Sequence, residues 1–232
     1  MGGVLAAGVS HASEAVPDTY SGPYIGGGLN HQYTIGDALL DDNLDASNMF
    51  TDDMVDAHGL GLVSSKVGTI GATITTGYGI FDSNYYIGAD LCVDITGNKN
   101  HNQTHYSESK IRTDGVIPTI ALRFGRFFSS IDCLMYTRFG FTFLRNEFQN
   151  YKTFKTNFRC QSISPIVGLG LEKMVLDRCS LRFEGDYRFP ADKKKHDIAG
   201  WNDNGDLIDG YKGSIENRTR GYAVRFMCVY HF

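Results

Sequence analysis

Residues 221–232 read GYAVRFMCVYHF, and this segment decides what kind of sheet the chain forms. Side chains of an extended strand alternate between its two faces. One face of this segment would carry only apolar or aromatic side chains, from Tyr222, Val224, Phe226, Cys228, Tyr230 and Phe232. The other face would carry Gly221, Ala223, Arg225, Met227, Val229 and His231. The segment therefore predicts a strand with one apolar surface and one surface that holds charge.

The same two-residue period recurs in seven earlier segments, and together they predict an all-β fold. The segments are GPYIGGGLNHQY, VGTIGATITTGYGIF, YYIGADLCVDITG, VIPTIALRFGR, CLMYTRFGFTF, SISPIVGLGLEK and SLRFEGDYRF. With the terminal segment they make eight strands of roughly the 9–11 residues that a tilted membrane-spanning strand needs. We therefore predict an eight-stranded antiparallel up-and-down transmembrane β-barrel, with residues 16–232 as its single domain.

The connections between the predicted strands alternate between short and long. Three short turns are predicted around residues 82–84, 129–132 and 176–178, and four long loops at roughly 34–66, 98–115, 148–161 and 190–217. Tight turns at one end and long loops at the other are typical of a membrane barrel with periplasmic turns and extracellular loops. Pro118 and Pro165 would each remove a hydrogen bond from the ladder, so we expect them near a barrel rim or a bulge.

Two eight-stranded barrels fit this pattern, and each is the other turned inside out. A soluble lipocalin-like barrel turns its apolar face inward, whereas a membrane barrel turns it outward toward lipid. Three features favour the membrane barrel: glycines crowd the polar face, that face mixes both signs of charge, and aromatic residues lie toward the strand ends of the apolar face. The predicted polar network of the lumen comprises Asp90, Asp94, Arg123, Arg138, Glu172, Arg182, Glu184, Asp186, Arg188 and Arg225.

The composition argues against several other classes of protein. The chain has 232 residues, a formal net charge of -4 and no basic tract, which argues against nucleic-acid binding. Mean hydropathy is -0.23, and no apolar run is long enough for a transmembrane helix. Residues 1–15 are interpreted as a signal-peptide remnant or an N-terminal tail. The five cysteines include no CxxC pair, so we predict no metal site, and nothing in the sequence indicates a cofactor.

Together with the eight strands, GPYIGGGL at residues 22–29 and the terminal YHF resemble the small outer-membrane β-barrel family of Gram-negative bacteria. That family includes the OmpA transmembrane domain and the opacity-type surface proteins. The resemblance implies a place in the bacterial outer membrane, in contact with its lipid and lipopolysaccharide. It also implies that Tyr230 and Phe232 form the signal read by the barrel-assembly machinery. A structural, adhesion or antigenic role would then be carried by the long loops, through host or matrix ligands.

Three other functions stay open at this stage. A small-solute porin would be recognised by its conductance, although eight strands leave a narrow lumen that charged side chains should fill. A soluble lipocalin-like binder would stay folded without detergent. An outer-membrane enzyme would need a nucleophile and a base at the rim, near histidines such as His31, His58 or His196, and no spacing marks such a pair. We therefore predict no catalytic residue and no enzymatic activity.

Overall fold

The computed structural model describes residues 18–41, 61–97, 109–113, 115–150, 156–190, 194–198 and 213–232. Residues 1–15, interpreted above as a signal-peptide remnant or tail, lie outside these ranges. The described residues form a 3-10 helix at Asp18–Tyr20 and ten strands. The strands are β1 (Gly22–Asp41), β2 (Gly61–Asp82), β3 (Tyr85–Thr96), β4 (Ser109–Thr113), β5 (Val116–Phe128), β6 (Cys133–Asn150), β7 (Thr156–Leu176), β8 (Cys179–Arg188), β9 (Lys194–Ile198) and β10 (Gly213–His231).

Eight of these strands form a closed antiparallel barrel. In the order β1, β2, β3, β5, β6, β7, β8 and β10, each strand pairs with the next, and β1 pairs with β10 to close the ring. The short strands β4 and β9 pair with the ends of β6 and β10 that lie nearest the long connections. The predicted eight-stranded up-and-down barrel is confirmed.

The short turns lie together at one end of the barrel, which we call the inner end; the opposite end is the outer end. Residues 83–84, 129–132 and 177–178 make these turns, as the sequence predicts. Ser83 and Asn84 both have a positive φ, of 49° and 78°. Two successive residues with positive φ are what a type I′ turn requires, and its twist matches the strands that it joins.

Several strands extend further toward the outer end than the sequence pattern indicated, so the predicted loop bounds 34–66 and 148–161 are wrong. The observed strand ends are Asp41 for β1, Gly61 for β2, Asn150 for β6 and Thr156 for β7. The other two predicted loops, 98–115 and 190–217, contain β4 and β9, and β10 begins at Gly213. Backbone pairing can extend a hairpin beyond the lipid. Neither face needs to be apolar there, so the sequence no longer alternates between apolar and polar residues.

Pro118 marks the point where the ladder between β5 and β6 ends. The two strands stay paired as far as Thr119 and Thr142, and β4 takes over the pairing with β6 from Asn146 outward. Proline has no N–H to donate to a neighbouring strand, which explains the break at this position near the outer rim.

The apolar face of the strands points outward and the polar face points inward. Ile70 is 74% exposed and Leu169 is 67% exposed, whereas Arg123 and Arg138 are fully buried. A soluble lipocalin-like barrel has the reverse arrangement, so that alternative does not fit this structure. No helix among the described residues is long and apolar enough to cross a membrane.

The exposed apolar side chains form a band whose height suits a bilayer. On β7 the outward-facing residues from Ile163 to Leu171 are apolar, with Gln161 at the outer edge and Lys173 at the inner edge. These nine residues, rising about 3.3 Å each and tilted by about 40°, span about 23 Å. The apolar band of an outer-membrane barrel is about 25 Å tall. Since β7 has 21 residues, it continues beyond this apolar band, chiefly on the outer side.

Candidate functional site: the charged interior of the barrel

Among the described residues, the interior of the barrel contains five buried arginines and five buried carboxylates, so the formal charges of this set balance. All ten side chains are at least 95% buried: Asp90, Asp94, Arg123, Arg138, Glu172, Arg182, Glu184, Asp186, Arg188 and Arg225. They come from six different strands, and alternation along each strand turns them inward. An isolated buried charge would be very costly, so the contacts that these groups make decide whether the interior is stable.

Arg138 is the centre of the middle layer. Its Nη2 donates to Asp90 Oδ1 at 2.9 Å, and its Nη1 lies 3.1 Å from Glu184 Oε2 and also donates to Asp186. Arg123 is the direct cross-strand neighbour of Arg138, which would place two like charges side by side. Asp90 separates them, because its other oxygen lies 3.3 Å from Arg123 Nε. One carboxylate therefore bridges two adjacent arginines and reduces the repulsion between them.

Arg225 forms a two-pronged ion pair with Asp94 further toward the outer end. Its Nε lies 2.9 Å from Asp94 Oδ1, and its Nη2 lies 2.6 Å from Oδ2. The remaining nitrogen, Nη1, donates to Asp186. Thr73 and Asn30 donate two more hydrogen bonds to Asp94 Oδ1. Such parallel, charge-assisted bonds are among the strongest that side chains make.

Glu172 performs the same role in the inner half of the lumen. Its Oε2 accepts from Arg182 Nε at 2.9 Å and lies 3.5 Å from Arg123 Nη1. Its Oε1 accepts from the Ser180 hydroxyl at 2.6 Å and lies 2.9 Å from His231 Nε2. Strands β5, β7, β8 and β10 thus meet at a single carboxylate.

Ser180, His231 and Glu172 are the residue types of a hydrolytic triad, but their geometry is different. A triad histidine uses one ring nitrogen for the serine and the other for the acid. Here Nε2 of His231 faces both Ser180, at 3.1 Å, and Glu172, while Nδ1 has no hydrogen-bond partner among the residues that the structure describes. The serine hydroxyl already donates to the carboxylate, and all three groups are buried. The arrangement is suited to holding the strands together rather than to activating a nucleophile.

Three tyrosines surround the Arg123 guanidinium. Its central carbon lies 4.6 Å from the Tyr24 ring centroid, 5.2 Å from that of Tyr86 and 5.1 Å from that of Tyr136. Its Nη2 also donates to the hydroxyls of Tyr24 and Tyr86, while Tyr136 donates to Glu184 at 2.6 Å. Cation–π contacts of this kind gain strength when water is excluded.

These tyrosines are missing from the lumen network that the sequence predicts. Strand alternation alone indicates an inward position for Tyr86, because Tyr86 shares its strand face with Asp90 and Asp94. The adjacent Tyr85 faces outward. Aromatic residues are expected in the lipid-facing girdles of a membrane barrel, and inward-facing ones are easily missed for that reason.

Inward-facing glycines provide the space for these rings. A Cβ on Gly170 would collide with the Tyr136 ring, one on Gly77 with the ring of Tyr24, and one on Gly88 with that of Tyr86. Each ring therefore occupies space that a side chain at the glycine position would need. The rings explain part of the glycine content of the polar face; at Gly71 and Gly140 an added Cβ would meet the neighbouring strand itself.

Gly170→Ala should lower the free energy of unfolding by about 1–3 kcal/mol, because the added methyl group must displace a ring held by Glu184. Urea titration of the refolded protein in lipid vesicles would measure this change. Gly185→Ala is the matched control, since nothing lies within 4 Å of its added Cβ. Equal stability of the two variants would show that the Tyr136 ring has room to move.

Tyr20 closes the inner end of the lumen although it precedes the barrel wall. Its ring belongs to a buried cluster with Tyr86, Phe127, Leu134 and Tyr136. Its hydroxyl donates to the Glu172 carbonyl at 3.4 Å and accepts from the Met174 N–H at 3.3 Å. Burial, and to a lesser extent the charge of Glu172, raises the pKa of Tyr20, so that it stays a neutral phenol.

No metal or redox site is evident among the described residues. They contain no group of three or more histidine, cysteine or acidic side chains that could hold a metal ion. Cys92, Cys133, Cys179 and Cys228 are free thiols, and the side chain of Cys160 is outside the described part of the chain. Of the rim histidines considered above, His31 lies exposed on β1, whereas the side chains of His58 and His196 are not among those described.

The solved structure of the outer membrane protein OprG from Pseudomonas aeruginosa is similar to this chain over almost its whole length. The match covers 92% of this chain and 97% of OprG, with a TM-score of 0.56 and 14% sequence identity. The chain has the fold of the small outer-membrane β-barrels. At this identity the likeness shows the fold and says nothing of activity.

Two further solved structures resemble the chain more distantly. The outer membrane protease OmpT from Escherichia coli is 11% identical, covers 92% of this chain and 98% of its own, and has a TM-score of 0.47. Ail of Yersinia pestis, an attachment invasion locus protein, is 9% identical, with 89% and 99% coverage and a TM-score of 0.39. At TM-scores below 0.5 these two add nothing to the fold assignment. No protein-family model and no curated protein matched the sequence.

Proposed function

We propose that the protein is a closed barrel of the bacterial outer membrane that holds surface hairpins and loops in place, and that it acts through binding rather than catalysis. The observation that carries this proposal is the ion-paired interior beneath an apolar exterior. Among the described residues, such an interior leaves no wide pore and no room for a large ligand. Binding specificity is therefore assigned to the loops at the outer end, since loops on a rigid scaffold are common binding sites.

The length of the outer strand segments supports this role. β1 and β2 pair up to Leu39, and β6 and β7 pair up to Asn150, well beyond the apolar band that ends near Gln161 on β7. The backbone of a paired hairpin has less conformational entropy than that of a loop. Binding at the tip of a hairpin therefore costs less conformational entropy. These hairpins would lift the connecting loops away from the membrane surface, toward host or matrix ligands.

Contact with lipopolysaccharide is part of the same proposal. Lys66, Arg145 and Arg220 are exposed at the outer edge of the apolar band, on three different hairpins. Basic side chains at this height are suited to the phosphate groups of lipopolysaccharide. The basic run at residues 193–196, around the start of β9, could add to this contact, but its side chains are not among those described.

The test compares intact protein with a variant in which the four outer connections are replaced by short Gly-Ser linkers. Outer-membrane vesicles carrying either protein would be tested for binding to a panel of immobilised extracellular-matrix proteins. We expect binding by the intact protein and its loss in the trimmed variant, with both forms still folded on unboiled gels. Equal binding by both, or steady nanosiemens channels of the intact protein in planar bilayers, would contradict the proposal.

Tyr230 and Phe232 are proposed as the signal that the barrel-assembly machinery reads. Both rings face outward at the end of β10, with their centroids 5.2 Å apart in an edge-to-face arrangement. Their exposure supports recognition by another protein before the barrel is surrounded by lipid.

Phe232→Ala should reduce the amount of folded barrel in the outer membrane several-fold while leaving refolding of the purified protein in detergent unchanged. Phe189→Ala is the control, because Phe189, just after the end of β8, has the same edge-to-face contact with Tyr187, at 5.1 Å. Cell fractionation followed by unboiled gels measures both. An equal loss for the two variants would point to a general aromatic effect instead of a terminal signal.

A further inference from the structure

Arg188 differs from the other four arginines of the interior. Arg123, Arg138, Arg182 and Arg225 each have a carboxylate oxygen within salt-bridge distance, at 2.6–3.3 Å. Among the described residues Arg188 has no such partner, and its one hydrogen bond runs from Nη2 to the amide oxygen of Gln32, at 3.3 Å. Arg188 is 98% buried, so water does not freely replace the missing partner.

Two strong donors are left unpartnered at this point. Within the described part of the chain, Nη1 of Arg188 has no acceptor, and neither has Nε2 of Gln32, whose oxygen already accepts from Arg188. The hydroxyl of Ser164 is a third buried group that has no hydrogen-bond partner in the described ranges. Ser164 faces inward on β7, two residues from Ile166, which is the register partner of Arg188. Three strands thus direct unused polar groups into one region of the lumen.

The nearby carboxylates are engaged mainly with other arginines. Both oxygens of Asp94 pair with Arg225, and Oδ2 of Asp186 is shared by Arg138 and Arg225. Oδ1 of Asp186 has no hydrogen-bond partner, yet no ion pair joins it to Arg188 among the described residues. Asp94 and Asp186 therefore act on Arg188 only at longer range. A buried guanidinium without a carboxylate in salt-bridge contact is costly, and each of the other four arginines has one, so this position calls for a further acceptor.

We infer that the outer end of the lumen contains a binding site for a small oxyanion, of the carboxylate or phosphate class. The planar guanidinium of Arg188 donates to the anion, with the Gln32 amide beside it and the Ser164 hydroxyl completing the set. Arg188 is the last residue of β8 and lies toward the outer end from the Arg225–Asp94 pair. The site therefore faces the side of the barrel that carries the long connections, and it is separate from the loop-borne role proposed above.

The inference is tested by isothermal titration of the refolded full chain in detergent micelles with inorganic phosphate and, separately, with acetate. Chloride at matched ionic strength corrects for general screening. We expect one saturable site in the native protein and a loss of affinity of about tenfold or more in Arg188→Gln. Arg126→Gln is the control, because Arg126 lies outside the barrel wall against Tyr85 and Phe128. It should bind as the native protein does.

A second variant keeps the test decisive if Arg188→Gln fails to fold. Gln32→Glu places a carboxylate next to Arg188, so it should abolish phosphate and acetate binding and raise the resistance of the barrel to urea. Absence of saturable binding in the native protein would overturn the inference. Retention of binding in Gln32→Glu would overturn it as well, since the anion would then bind elsewhere.

Discussion

Arg225→Met should lower the free energy of unfolding by about 3–5 kcal/mol, the largest single effect that we expect in this barrel. Methionine fills much of the same volume but leaves Asp94 without both of its ion-pair bonds and Asp186 without one. Removing one partner of a buried pair leaves an uncompensated charge, and that cost exceeds the net value of the pair itself. Urea titration in phospholipid vesicles, followed by the fraction that migrates as folded protein on unboiled gels, measures the change.

The double variant Arg225→Met with Asp94→Asn separates this explanation from simple loss of packing. Removing the stranded charge should recover a substantial part of the lost stability, because the two residues are in direct contact and their effects are not additive. Arg126→Met, at an exposed arginine, should change stability by less than about 1 kcal/mol. A small effect of Arg225→Met, similar to that of Arg126→Met, would mean that the interior is hydrated.

Leu122→Arg should destabilise the barrel by about 2–4 kcal/mol, although the side chain is on the outside. Leu122 pairs with Phe139, which pairs with Val167 at the centre of the apolar band, so the new charge would lie near the middle of the bilayer. On a protein surrounded by water, an exposed leucine can be replaced by arginine with a change of about 0.5 kcal/mol or less. The expected cost therefore comes from lipid and not from any contact within the protein.

Val175→Arg provides the matched control for this substitution. Val175 is 49% exposed and Leu122 is 51% exposed, but Val175 lies at the inner end of β7, beyond Lys173. A charge near the membrane interface costs only about 0–1 kcal/mol. The same urea titration in vesicles should therefore show a larger loss of stability for Leu122→Arg than for Val175→Arg. Small and equal losses for the two variants would show that the apolar band does not contact lipid.

The direction of each strand face could be predicted from the sequence because alternation needs only local information. Arg225 and Phe226 are neighbours, and only one can face the lumen. The contacts inside the lumen could not be predicted in this way. Asp94 and Arg225 are 131 residues apart, and their pairing depends on the register of the whole closed sheet. Alternation gives the face of each residue but not its height along the barrel axis.

Two features escaped the sequence pattern for physical reasons. The outer parts of β1, β2, β6 and β7 are held by backbone pairing, which leaves no mark on side-chain polarity once a strand leaves the lipid. The tyrosines around Arg123 are amphipathic, so the same residue type suits both the lipid interface and a polar lumen. The sequence carries two signals for them: alternation, as for Tyr86 beside Tyr85, and the glycines that they contact, such as Gly170 and Gly77.

The orientation of the barrel wall is the central claim, and quenching of tryptophan fluorescence by brominated phospholipids tests it most directly. The chain has one tryptophan, Trp201, which would first be replaced by phenylalanine. Phe124→Trp and Phe127→Trp then place a single reporter on opposite faces of β5, three residues apart, where Phe124 is exposed and Phe127 is buried. We predict strong quenching of the reporter at position 124 and weak quenching at position 127. Equal quenching at the two positions, or stronger quenching at 127, would contradict the lipid-facing apolar band and the charged interior that it encloses.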